Sequence, residues 1–373
     1  MLHLNLVLSK GRHAVSRTGA AISAPIRGFF NPRFESIAAR LDSLEASVDR
    51  LAGRGPGSGA SAQGAPARGA RMSDPATSQD AYLARVDLSD HNRGGVPPSF
   101  THLVSQATSA AQCDDPVYLD WLRELTGVAK GAAIGNTHNR KTWEWAYIAE
   151  AVTQAGLMEP GRTALGFGVG NEPMPALFAG RGLDVVATDQ AAEFGDDWAS
   201  TGQLMTGLSG LSRPFLIDDE DLAARVTLRN VDMNDVPADI GTFDVIWSSC
   251  VIEHLGSPQR GLDFVLESCA LLAPGGIAVH TTELELTRRD TTADYGHCAV
   301  YRLQDLREFA DRLSGVGCTA TFNFTVPMDT REDRWISLVL VAGGSAPEDV
   351  AHLKLAIEDS VSTSFGLLIR RLP

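Results

Sequence analysis

The segment Thr163–Gln190, TALGFGVGNEPMPALFAGRGLDVVATDQ, carries residue types and spacings suited to holding a nucleoside. Glycines at 166, 168 and 170 alternate after an apolar run. There the backbone can turn sharply and lie against a ligand that a Cβ would hold off. Asp189 closes the next apolar run, where a carboxylate can accept both hydroxyls of a ribose. A dinucleotide loop needs G-x-G-x-x-G, whose third glycine lets helix and strand approach. Here the sixth position is Asn171 and the spacing is G-x-G-x-G. Pro173 suits the start of the following helix, where an N–H would lack a partner anyway.

The features downstream keep a fixed order. Val226–Pro237 reads as a strand with Asp232 at or just past its end. Phe243–Leu255, FDVIWSSCVIEHL, reads as a buried strand running into Glu253-His254. Leu262–Gly276 and the following IAVHTT read as a helix, a turn (LLAPGGI) and a fifth strand. Strands alternating with helices predict an α/β protein with a parallel, doubly wound sheet and ligand contacts at the strand C-terminal ends.

These four motifs, across Thr163–Thr282, resemble the class I S-adenosylmethionine (SAM) methyltransferases, and within them the methyltransferase type 11 group. The resemblance implies a Rossmann-like, seven-stranded methyltransferase sheet and S-adenosyl-L-methionine as cofactor. The candidate cofactor residues are Gly166, Phe167, Gly168, Gly170, Asp189, Gln190, Asp232, Met233 and Ser248. In the family the acidic residue at the Asp232 position accepts a hydrogen bond from the adenine amino group, and Met233 would flank the ring.

One position departs from the family pattern. Many relatives carry an acidic residue two places before the first glycine, where this chain has Ala164. A substitute is sought upstream, in NRKTWEWAYIAEAV (Asn139–Val152), whose apolar positions recur at helical spacing. Arg140 is expected to contact the methionine carboxylate and Glu144 the ammonium group, through charge-assisted bonds. The competing expectation is a solvated charged face, with Trp143, Trp145 and Tyr147 as ordinary core. Relatives with an Arg-Lys-x-Trp-Glu run before the glycine loop bring a resemblance to proteins of bacterial surface-glycan assembly.

Methyl transfer from an activated sulfonium is mainly a matter of alignment. No metal is needed, and no ligand cluster with metal-site spacing is visible. A hydroxyl acceptor gains about 10²–10⁴-fold from a base. His254, which follows the fourth strand, leads the candidates, with Glu283 and His297 as alternatives. A charged stretch after the fifth strand, from Glu283 and Glu285 through Arg288, Arg289, Asp290, Asp294 and Tyr295 to His297, is expected to line or cover the acceptor pocket. Its mixed charges suit a polyhydroxylated acceptor. The Asn/Asp-Pro-Pro-aromatic signature that positions amide or exocyclic nitrogens is missing after the fourth strand, which disfavours N-methylation of glutamine, adenine or cytosine.

The 373-residue chain has room for one large domain with an appendage. A net charge of −14 disfavours a nucleic-acid partner, whose binding rests on clustered Lys and Arg. No stretch approaches the roughly 20 apolar residues of a membrane span. Five scattered cysteines without a C-x-x-C pair suggest reduced thiols in a cytoplasmic setting, with Cys250 and Cys269 packed as small hydrophobes.

Five regions follow one another. Residues 1–33 form a basic arm that reads equally as a segment for an anionic surface, such as the inner face of a membrane, as a disordered start, or as an organellar presequence. In 34–51, Phe34, Ile37, Leu41, Leu44, Val48 and Leu51 make the a/d seam of a short coiled-coil helix, which predicts a homo-oligomer, the alternative being an amphipathic helix docked on its own domain. Residues 52–79 are a Gly/Ala/Ser/Pro-rich linker spanning roughly 30 Å. Residues 80–160 read as a helical cap segment and 161–373 as the methyltransferase domain. Trp335–Ala342 and Thr363–Arg371 both read as strands, and either could close the sheet antiparallel to the others.

The expected function is SAM-dependent O-methylation of a small molecule or glycan. A non-catalytic SAM-fold module joined through its coil is a rival reading, disfavoured by the intact glycine loop, Asp189 and Asp232. A nucleotide-dependent oxidoreductase is another, disfavoured by Asn171.

Overall fold

The computed structural model describes residues 78–93, 95–191, 204–342 and 350–373. The basic arm, the coil seam and all but the last two residues of the linker lie outside the described residues. Among those described, no helix is long and apolar enough to cross a membrane.

The strand–helix alternation builds the expected Rossmann-like sheet. Its parallel core consists of β2 (Thr163–Phe167), β3 (Asp184–Asp189), β4 (Val226–Asn230), β5 (Phe243–Ser249) and β6 (Leu272–Glu285). They lie in the order β6-β5-β2-β3-β4, so the chain reverses direction across the sheet between β2 and β5. Ligands bind at such a switch point, outside the strand C-terminal ends. The glycine loop leaves β2 there, and the Cys250–His254 turn leaves β5.

The closing antiparallel strand is β11, Ser360–Arg371, paired with β6 from Ser362↔Glu285 to Arg370↔Ile277. Of the two late runs that read as strands, the second therefore closes the sheet. The first supplies only β9 (Ile336–Ser337) before turning helical at Val339–Ala342.

The sheet holds eleven strands among the described residues, where seven were expected. The extra pieces follow from the length of β11. An unpaired strand edge leaves open hydrogen-bonding groups, and three segments share the outer edge of β11. β10 (Lys354–Ile357) pairs at its start, β1 (Ser105–Ala107) at Phe365–Gly366, and β7 (Cys318–Thr319) at its end. β8 (Phe322–Asn323) then lies parallel to β1. The segment before the glycine loop thus contributes a strand as well as helices.

Two of those helices matter for the site. α1 (Pro116–Thr126) starts on Asp115, which caps Val117, and ends at Gly127 in the left-handed conformation. α2 (Arg140–Gln154) is capped by Asn139 and buries side chains on every face, including Trp143, Tyr147 and Val152. Trp143 and Tyr147 stack at 5.0 Å between ring centroids. Tyr147 presses onto Gly366 of β11, where a Cβ would come within 2.2 Å of its ring, so only glycine allows that approach. The same side of the sheet carries α3 (Met174–Gly180), whose Phe178 meets Trp247 edge-on at 4.9 Å. Burying a side chain like Phe178 contributes ~2–3 kcal/mol. α4 (Pro258–Cys269) and α5 (Leu303–Leu313) cover the other face with Phe264, Leu306 and Phe309.

Candidate active site

The glycine loop has the conformation that its composition demands. Gly168 and Gly170 both take positive φ, +59° and +51°. Gly170 N–H donates to Asp189 Oδ2 at 3.1 Å, and Val169 N–H donates to the Thr188 carbonyl at 3.1 Å. Asp189 therefore faces the loop. Its carboxylate also accepts Gln190 N–H at 2.9 Å and Met205 N–H at 2.8 Å. Burial raises the Asp189 pKa above the usual carboxylate value, against the opposing pull of those three N–H groups. Asn171 takes up the same returning segment, bonding Leu204 and Thr206.

The other cofactor candidates are less uniform. Asp232 stands exposed just beyond β4, accepting Asn234 N–H at 2.8 Å, while Met233 beside it is buried in the core. Phe167 is also core, edge-on to Phe264 at 4.9 Å. Gly166 lies under Trp247, where a Cβ would come within 2.3 Å of the indole. Ser248 spends its hydroxyl on the buried His280, 2.8 Å away.

A backbone-lined turn at β2, a carboxylate at the end of β3 turned toward it and an acid past β4 fit an adenosyl group. The loop's own neighbour is Val251: a Cβ on Gly168 would lie 2.7 Å from Val251 Cγ1. Val251 belongs to the turn after β5 and so ties the loop to the next cluster.

That cluster is built by the first turn of α2 laid across the ends of β5, β6 and β11. Arg140 Nη1 lies 3.0 Å from Glu144 Oε1 and 2.6 Å from Glu283 Oε1 on β6. Glu144, fully buried, also receives Lys141 Nζ at 2.8 Å, Ser249 Oγ at 3.1 Å, Cys250 Sγ at 3.1 Å and Ser364 Oγ at 2.6 Å. Glu283 accepts Ser362 Oγ at 2.7 Å. Cations in the first turn of a helix oppose its dipole, so Arg140 and Lys141 are held there by these carboxylates. Burial raises the Glu144 pKa, but Lys141 and Arg140 outweigh it and hold the carboxyl at about 2. This is no solvated face: Trp143, Trp145 and Tyr147 are core, Glu144 beside them is fully buried, and Arg140 and Lys141 are half-buried.

Cys250 departs from its expected place as a packed hydrophobe. It is half-buried with φ +54°, a conformation uncommon for a residue with a side chain. The turn it makes aims the thiol at Glu144, with Arg140 Nη1 3.3 Å away. Cys269 is buried in the core as expected. The fold also brings Cys250 Sγ and carboxylate oxygens of Glu253 and Glu283 within 4.8 Å of one another, a grouping that spacing did not reveal. Arg140 is the counter-cation there.

The three candidate bases have different surroundings. His254, half-buried, directs Nδ1 at the His297 carbonyl, 2.5 Å away, and burial lowers its pKa to about 4. Glu283 is committed to Arg140. His297 is exposed on a short hairpin, with Nδ1 3.1 Å from the Tyr295 carbonyl. The remaining charged residues past β6 serve one another. Glu285 accepts Thr287, Ser360 and Arg289, while Tyr295 donates to Asp359. A cleft of about 680 Å³ among Arg85, Asp87, Arg288, Arg289 and Asp359 is lined by no residue of the glycine loop.

Residues 165–280 match the family model of a methyltransferase domain. No curated protein matches the chain significantly. Among solved structures, an S-adenosylmethionine-dependent methyltransferase from Clostridium acetobutylicum is 9% identical, with 63% of this chain and 93% of that one covered and a TM-score of 0.36. The CcbJ methyltransferase from Streptomyces caelestis is 12% identical, covering 60% and 94%, with a TM-score of 0.34. A glycopeptide N-methyltransferase complexed with sinefungin is 14% identical, covering 66% and 90%, also at 0.34.

Proposed function

We propose that this methyltransferase domain, whose cofactor is S-adenosylmethionine, transfers the methyl group to a hydroxyl of a small molecule or glycan. When bound, the cofactor supplies an electrophilic methyl on a positively charged sulfur. The chain's part is to hold it and to present the acceptor in line. The backbone of the glycine loop faces the adenosyl group, Asp189 takes the ribose, and Asp232 the adenine edge.

Arg140 is assigned the methionine carboxylate. All its contacts are made through Nη1, so Nη2 and Nε have no partner among the described residues. Glu144 already accepts more donors than the roughly four lone pairs of a carboxylate. Its work is to fix Arg140 and Lys141 at the strand ends.

The observation that carries this reading is the adjacency of the two clusters. Val251 lies on Gly168, and Cys250, its chain neighbour, is bound by the first turn of α2. Polar side chains thus gather at the sheet edge beside the glycine loop, where an acceptor would stand. A base at these strand ends takes the hydroxyl proton. Surface-glycan chemistry supplies the acceptor class that the mixed polar lining suits best.

Incubation with methyl-labelled SAM and separate panels of sugar, alcohol and amine acceptors tests the assignment. Label appearing as a base-stable ether on a hydroxyl compound is the expected result. Label confined to amines would contradict it.

A further inference from the structure

The 3₁₀ turn that follows β5, Ile252–His254, carries a carboxyl group that the reading above leaves unused. Glu253 is 3% exposed. Its Oε2 accepts the Thr282 hydroxyl at 3.1 Å, and its other oxygen bonds no other described residue. It stands with Glu283 and Cys250 inside a 4.8 Å cluster, two residues along the chain from the Val251 side chain that covers Gly168.

The two carboxyls of this cluster live in opposite surroundings. Glu283 has a guanidinium 2.6 Å away. Glu253 has none, and burial first, then the charge of Glu283, pushes it up to about 8. The groups facing it are Glu283 on β6, Lys141 and Glu144 on α2, Cys250 on its own turn, and Cys298 and Tyr301 from the hairpin strand beyond. With Glu253 neutral, Arg140 and Lys141 balance Glu144 and Glu283. A cation arriving at the loop therefore enters a neutral cluster holding one removable proton. A buried carboxyl without a cation, beside one that has a guanidinium, is placed for acid/base work.

We infer that Glu253 is the proton acceptor of the transfer reaction, kept as the neutral acid until a cationic sulfonium lies beside it and drives its proton to solvent. The inference rests on the methyltransferase reading with a hydroxyl acceptor. On SAM binding, Glu253 ionises and one proton leaves the protein. In the transfer step the acceptor O–H bond breaks and its proton moves to Glu253. The oxygen forms a bond to the methyl carbon, and the carbon–sulfur pair returns to sulfur. The products are a methyl ether and neutral S-adenosylhomocysteine (SAH), with Glu253 protonated as at the start. The single proton that the overall reaction liberates is the one released when SAM binds. Glu253 suits this role better than His254, which is a far weaker base in its buried setting, or Glu283, which Arg140 occupies.

The test is proton release on binding. The full chain is titrated with SAM, then with SAH, at pH 7 in buffers of different ionisation enthalpy. Wild type should release close to one proton more with SAM than with SAH. Glu253→Gln, which keeps an acceptor for Thr282, should bind both while losing that difference. Its methyl transfer should fall at least 100-fold. Glu253→Asp, whose carboxyl is retained, should keep the difference in release. If wild type and Glu253→Gln bind SAM and release equal numbers of protons, the inference is overturned while the methyltransferase reading stands. Failure of wild type to bind SAM at all would overturn both.

Discussion

Arg140 Nη1 lies 2.6 Å from Glu283 Oε1, joining the first turn of α2 to the far end of β6 in a setting where both side chains are largely buried. Removing one partner of such a pair leaves the other charge uncompensated. Arg140→Met should cost ~3–5 kcal/mol in urea unfolding. The double variant Arg140→Met/Glu283→Gln should cost clearly less than Arg140→Met alone. Equal losses would mean that the pair is not coupled.

Gly168 carries two constraints, a φ of +59° and the Val251 side chain against its α-carbon. Gly168→Ala should lower stability by ~1–3 kcal/mol, since both strain and overlap oppose a methyl there. Adding Val251→Ala should recover the overlap portion only. Thermal unfolding of the two variants distinguishes these contributions, and full recovery would show that the backbone conformation costs nothing.

Glu172, just after the glycine loop, is buried and accepts Trp247 Nε1–H at 2.6 Å. Burial raises its pKa from 4.5 to about 8. A carboxyl whose folded value is raised stabilises the fold below its unfolded value, and that contribution is lost as pH rises through about 8. The loss is at most ~5 kcal/mol. Wild type should therefore lose more thermal stability than Glu172→Gln between pH 5 and pH 9, when the two are scanned side by side. Parallel curves would refute the ionisation argument.

Asp189 accepts backbone N–H groups from Gly170, Gln190 and Met205. A carboxylate offers roughly four lone pairs, so two ribose hydroxyls must displace one of these donors. Met205, which alone of the three belongs neither to the glycine loop nor to the end of β3, is the donor expected to yield. Asp189→Ala should weaken SAM binding by ~1–3 kcal/mol. Amide exchange at Met205 should rise when SAM binds wild type. An unaltered affinity in Asp189→Ala would remove Asp189 from the site.

Local signals carried the glycine loop, the five parallel strands and the acid at the end of β3. Each rests on residues adjacent in the chain: alternate glycines, short apolar runs, a terminal carboxylate. The closing strand was ambiguous because Trp335–Ala342 and Thr363–Arg371 are equally strand-like. The choice is made by pairing with β6, nearly eighty residues upstream in the register Ser362↔Glu285. β1, three residues long, has no pattern of its own and exists because β11 has an edge to cover. Arg140 and Glu144 were legible as a charged start to a helix, but their partners Glu283, Ser249 and Ser364 come from three other strands. Cys250 looked like a core hydrophobe because a positive φ at a cysteine leaves no mark in composition. Glu253 was visible only as the neighbour of His254, and its closeness to Glu283 is a product of the sheet.

The central claim is that this fold binds SAM at the glycine loop. Isothermal titration of the full chain with SAM, SAH and NAD tests it most directly. Saturable binding of SAM and SAH, weakened by Asp189→Ala, with no heat from NAD, is the predicted result. Saturable NAD binding with no response to SAM would contradict it.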